Sequence, residues 1–94
     1  MELRVDRRCK TTYDKNGRKI EKHIVRVYYE YNVEYEFYDE KSALDFIDIV
    51  SKLNKRGFYD KLTGYEFDMK LDILRNQIVN NFYLSQHSEV TQWN

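Results

Sequence analysis

The chain has 94 residues, enough for one domain with one modest core. Apolar residues make up 41% and aromatics 16%, and sixteen basic side chains balance sixteen acidic ones, so intrinsic disorder is excluded. No apolar run approaches the roughly 18 residues of a membrane helix, Met1-Glu2-Leu3-Arg4 shows no apolar leader, and a single cysteine, Cys9, rules out an internal disulfide; the expected compartment is the cytoplasm.

Residues 2–13 alternate in character. Leu3, Val5, Cys9, Thr11 and Tyr13 fall on one parity; Glu2, Arg4, Asp6, Arg8 and Lys10 fall on the other, and Arg7 breaks the pattern. Asp14-Lys15-Asn16-Gly17 carries the signal of a type I turn closed by a left-handed glycine. A three-residue loop there pairs Asp14 with Arg18, Leu3 with Tyr29, Val5 with Val27 and Cys9 with His23. That register brings the odd residues of both strands onto one apolar face, which a two-residue loop would not.

From Val25 to Phe37 the apolar parity runs unbroken through Val25, Val27, Tyr29, Tyr31, Val33, Tyr35 and Phe37. Either one long bent strand spans about 19–38, or an odd-numbered loop near Asn32 creates a third strand. The second arrangement is preferred, because strands rarely exceed about ten residues.

The first helix is expected over about 40–56. Asp39 or Ser42 can cap it, and Ser42 with Asp45 has capping-box spacing. Ala43, Phe46, Ile47, Val50 and Leu53 form its core stripe. Gly57 stops it, with Phe58 placed to fold back on the last turn. The second helix is expected over about 64–85, opened by Thr63 and Glu66. Phe67, Leu71, Leu74, Ile78 and Phe82 make its core face, and Met69 and Ile73 lie beside it. The fold class is therefore α+β: an antiparallel hairpin or three-stranded meander over about 2–38, then two helices packed on one face. Residues 1–94 read as one domain, with a frayed polar tail over 86–94 in which Trp93 could dock.

Charge is segregated along the chain. Residues 1–26 carry nine basic and four acidic side chains, and residues 27–48 carry one basic and seven acidic. Residues 49–61 are net +3 and residues 62–94 net −2. On the outer hairpin face, Arg4, Arg8, Lys10, Lys22 and Arg26 gather with Tyr28, a set able to contact phosphates. An opposite edge would be acidic and tyrosine-rich, with Glu30, Glu34, Glu36, Asp39 and Glu40 beside Tyr31, Tyr35 and Tyr38. Aromatics supply contact area and charges steer encounter, so this edge reads as a protein-binding surface for a basic partner. Both sets also read as ordinary solvated faces and edge-strand protection.

No motif identifies a reaction. Cys9 and His23 are expected cross-strand neighbours, but nothing around them marks a catalytic dyad; a small buried cysteine beside a surface histidine accounts for them. A metal site would need Cys9, His23, His87 and carboxylates to converge, and no pair has ligand spacing, so no metal or other cofactor is expected. Asp68 with Asp72, and Asp45 with Asp48, read as solvated helix faces. Gly17, Gly57 and Gly64 are accounted for by a turn, a helix stop and a helix start. A small chain whose special residues have structural roles is expected not to be an enzyme.

Lys, Asn, Ile, Tyr and Phe, all with AT-rich codons, supply 36 of the 94 residues, proline is absent, and Ala43 is the single alanine. The segment from Tyr35 through Ile47 (YEFYDEKSALDFI) resembles a strand-into-capped-helix passage of small phage and mobile-element proteins. With its size and acidic, tyrosine-rich edge, the chain resembles the small anti-CRISPR inhibitors. That resemblance implies a host protein partner with a basic surface, such as a CRISPR effector nuclease, bound through the acidic edge. Two alternatives stand beside it. One is a nucleic-acid-binding or regulatory module using the basic face. The other is a structural component that self-pairs through an open strand edge and the Met69 and Ile73 side of the second helix, as a homodimer.

Overall fold

The structure, a computed structural model, describes residues 2–30 and 32–91, with side chains as far as residue 84. The expectations for Tyr31 as an anchor and for Trp93 as a docking residue lie outside the described residues.

Three antiparallel strands in the order β1-β2-β3 make one sheet: β1 (Arg4–Tyr13), β2 (Lys19–Tyr28) and β3 (Asn32–Phe37). Val5 pairs with Val27 and Cys9 with His23, as the turn chemistry requires. Asp14 builds that turn: its Oδ1 accepts from the backbone N–H of Asn16 and of Arg18, at 2.8 and 2.9 Å. Gly17 closes it at φ 78°, a conformation that costs a side-chain-bearing residue about 1–2 kcal/mol. Val25 pairs with Tyr35 and Val27 with Val33, so three residues separate β2 from β3. An odd loop keeps the apolar parity, and the three-strand alternative is the one adopted.

Two helices follow, α1 (Glu40–Lys55) and α2 (Gly64–Thr91). Asp39 caps α1 by accepting the Ser42 N–H at 2.7 Å. Ser42 is buried, and Asp45 pairs with Lys41 at 2.9 Å, so the Ser42–Asp45 capping box does not form. The helix stops at Gly57 (φ 75°), where Gly57 N–H donates to the Asn54 carbonyl and Phe58 N–H to that of Leu53, each at 3.0 Å. Thr63 and Glu66 form the expected reciprocal cap of α2. That helix continues to Thr91, beyond the expected end near 85.

The core lies between the odd face of β2 and β3 and the two helices. Val25, Val27, Tyr35 and Phe37 meet Ala43, Phe46 and Val50 of α1 and Phe67, Leu71 and Ile78 of α2. Each large apolar side chain buried here contributes roughly 1.5–3 kcal/mol. Two expectations are corrected. The residue after Gly57 that fills the core is Tyr59, buried edge-to-face against Phe67 at 4.8 Å; Phe58 is exposed. Also, the odd face is covered only from His23 inward: Cys9 and Thr11 are exposed, and Tyr13 is 69% exposed. The end of the β1–β2 hairpin therefore projects past the core. On α2, Tyr65, Met69 and Ile73 form an exposed apolar row one turn apart.

Candidate functional site

The outer face of the sheet carries the segregated charges. Arg4, Asp6, Arg8 and Lys10 line its β1 side, Lys22, Ile24, Arg26 and Tyr28 its middle, and Glu34 and Glu36 its β3 side. Arg4, Arg8 and Lys10 are exposed; Lys22, Arg26 and Tyr28 are half-buried. The Arg4 guanidinium sits 4.4 Å from the Tyr28 ring centre. Arg26 lies between Asp6 and Glu34 in the register, and its Nε donates to Glu34 Oε1 at 2.7 Å. A hydrogen bond to the Tyr28 hydroxyl and then that to Glu34 hold the guanidinium above its ordinary pKa. Arg26 and Glu34 were expected in separate patches. They are partners of one another, because the register puts them in one cross-strand row.

The remaining acidic-edge residues divide by role. Asp39 is spent on the α1 cap. Tyr35 is 8% exposed, with its ring 5.3 Å from that of Phe46, so it serves the core and not an interface. Its odd parity was the signal that would have placed it there. Glu30 is exposed and borders a cleft of about 310 Å³ shared with Tyr29, Leu62 and Phe67. Glu36, Tyr38 and Glu40 remain exposed where β3 turns into α1. Tyr38, 61% exposed, donates its hydroxyl to Glu36 Oε2 at 3.5 Å; Glu40 Oε1 lies 3.9 Å from Arg7 Nη2.

Beside Tyr38 opens a groove of about 210 Å³, walled by Phe37, Val79, Phe82 and Tyr83. Arg75 crosses to it from α2 and donates to the Glu36 carbonyl at 2.9 Å, which occupies one acceptor of the β3 edge. Sequence reading missed this groove, because α2 supplies half of it from more than thirty residues further along the chain.

The paired carboxylates have the following partners. Asp45 and Asp48 each hold a lysine, Lys41 and Lys52, at 2.9 Å. Asp68 accepts a hydrogen bond from the Tyr29 hydroxyl, and Asp72 is exposed.

Cys9 and His23 face each other across β1 and β2, with the expected burials reversed: Cys9 is exposed, and His23 is 3% exposed. The projection of the hairpin past the core leaves Cys9 uncovered. Glu21 joins them on the same face. Cys9 Sγ, a Glu21 carboxylate oxygen and a His23 ring nitrogen lie within 4.8 Å of one another. Convergence thus comes with Glu21; the side chain of His87, the other histidine considered, lies outside those described. Glu21 shares the parity of His23 two residues away, and that was the signal for it.

No protein-family model, curated protein or solved structure matches this chain. Among the described residues no helix is long and apolar enough to cross a membrane.

Proposed function

We propose that this chain is a non-enzymatic, protein-binding inhibitor of phage or mobile-element type that acts in the host cytoplasm. It seats the Tyr38 corner on a basic surface of a host protein, and the nucleic-acid channel of a CRISPR effector nuclease is a surface of that chemistry. The observation that carries this reading is the exposed Tyr38 beside an apolar groove, with Glu36 and Glu40 around it. A large aromatic next to a groove is the composition of a binding hot spot, and flanking carboxylates steer a cationic partner toward it.

A second reading has its own observation. The β1–β2 hairpin carries Arg8, Lys10, Lys15, Arg18, Lys19 and Lys22, and Tyr13 is exposed beside its turn. A basic finger with an aromatic tip suits single-stranded nucleic acid.

One experiment separates the two. A photo-reactive phenylalanine replaces Tyr38 in one variant and Tyr13 in another, and both are irradiated in lysate of the source cell. The proposal expects a discrete protein adduct from position 38. Adducts to nucleic acid from position 13, with none to protein from position 38, would replace it with the second reading.

A further inference from the structure

We infer that Cys9, Glu21 and His23 form a site for a zinc-class divalent cation on the β1–β2 hairpin. Three observations carry it: the donor set, the geometry and a buried nitrogen that has no partner among the described residues.

A thiolate, a carboxylate and an imidazole are the donors that zinc prefers, and three protein ligands leave a fourth position for water. The hairpin supplies them from two strands. Cys9 stands opposite His23, and Glu21 is the next residue along β2 on the same face. Tetrahedral bonds of about 2.0–2.3 Å require donors roughly 3.3–3.8 Å apart. The three donor atoms already lie within 4.8 Å of one another, and the side chains that must close the difference, Cys9 and Glu21, are exposed.

The histidine supplies the observation that points to a ligand. His23 is 3% exposed, and among the described residues its Nε2 has no hydrogen-bond partner. Glu21 Oε2 lies 4.0 Å from it. Burying a polar nitrogen without a partner is costly, and a cation bound between Nε2, Oε2 and the Cys9 sulfur removes that cost. The other Glu21 oxygen, Oε1, lies 3.3 Å from Lys19 Nζ, which leaves Oε2 toward the histidine.

Arg7 opposes binding in a defined way. Its Nη1 donates to His23 Nδ1 at 3.1 Å, so the neutral ring keeps its proton on Nε2. Coordination through Nε2 moves that proton to Nδ1. Nδ1 then donates and can no longer accept, so Arg7 must let go; Glu40 Oε1, 3.9 Å from its Nη2, is the carboxylate it turns to. The Cys9 thiol gives up its proton to solvent as the metal–sulfur bond forms. One dication then meets two ligand anions, and the site is neutral.

The test uses the reduced full chain titrated with Co²⁺ and then Zn²⁺. The inference expects one Co²⁺ per chain, with a sulfur-to-cobalt charge-transfer band that Zn²⁺ abolishes by displacement. His23→Gln disturbs a buried position, so the informative variants are Cys9→Ser and Glu21→Gln, both exposed and both checked for fold by circular dichroism. Each weakens binding at least about tenfold, and Cys9→Ser also removes the charge-transfer band. Arg7→Gln, which removes a cation and offers Nδ1–H an acceptor, tightens it. Absence of uptake at submillimolar metal, or uptake indifferent to Cys9→Ser and Glu21→Gln but lost with His87→Gln, would overturn the site.

Discussion

Arg26 on β2 and Glu34 on β3 stand directly opposite each other, joined by the Arg26 Nε–H donating to Glu34 Oε1 at 2.7 Å. This pair ties the basic stretch of the chain to the acidic one. The outer face of the sheet therefore runs from cations at β1, through a neutralised middle, to carboxylates at β3. Glu34→Lys sets like charges opposite each other, whereas Glu36→Lys faces Ile24. Thermal melts are expected to show a lower midpoint for Glu34→Lys than for Glu36→Lys; equal midpoints would mean the pair contributes nothing.

Gly17 and Gly57 hold left-handed backbone at φ 78° and 75°. Replacement by alanine is expected to cost about 1–2 kcal/mol at each. The loss is larger at Gly57, where the new Cβ would lie 2.9 Å from Asp60 Oδ2 and push that side chain aside, while Gly17 has open space around it. Urea unfolding of the two variants measures both, and an unchanged midpoint in either contradicts the strain argument.

Tyr29 hydrogen-bonds Asp68 and so ties the loop after β2 to α2. Tyr29→Phe keeps the ring against Phe67 and loses the hydroxyl, at an expected cost of about 1 kcal/mol. In an Asp68→Ala background the same change is expected to cost much less. A double-mutant cycle with no coupling would remove the tie.

Burial pushes the Tyr59 phenol up from its ordinary pKa. The unfolded chain loses that proton near pH 10, while the folded chain keeps it to higher pH. Above about pH 10 the unfolded state therefore binds fewer protons, and stability falls as pH rises. Tyr59→Phe removes the titrating group, so its urea midpoint is expected to drop less than the wild-type midpoint between about pH 9 and about pH 11. Parallel declines would show that Tyr59 does not drive the effect.

Local chemistry made much of this fold legible. Asp14 and Gly17 set the loop length, the loop length set the register, and the register put Val5 on Val27. Parity across residues 25–37 left two topologies, which only the packing of β3 on β2 separates. Tyr59 was not readable, because it sits after a helix stop where no periodicity marks the core. The site was less legible than the fold. Tyr35 carried core parity, yet its acidic neighbours drew it into the candidate surface. Charge taken along the chain puts Arg26 and Glu34 in opposing patches, whereas they meet across it. The groove beside Tyr38 depends on α2 returning to the end of β3, a long-range contact with no sequence mark.

Tyr38 and the carboxylates around it are proposed to bind a protein. The most direct measurement is a pull-down of the tagged chain from source-cell lysate, with nuclease present throughout. A Glu36→Lys/Tyr38→Ala variant, shown folded by circular dichroism, runs beside it. A stoichiometric protein partner is expected on the wild-type chain, depleted at least about tenfold on the variant. Equal recovery by both chains, or a bound fraction that appears only when nuclease is omitted, would contradict it.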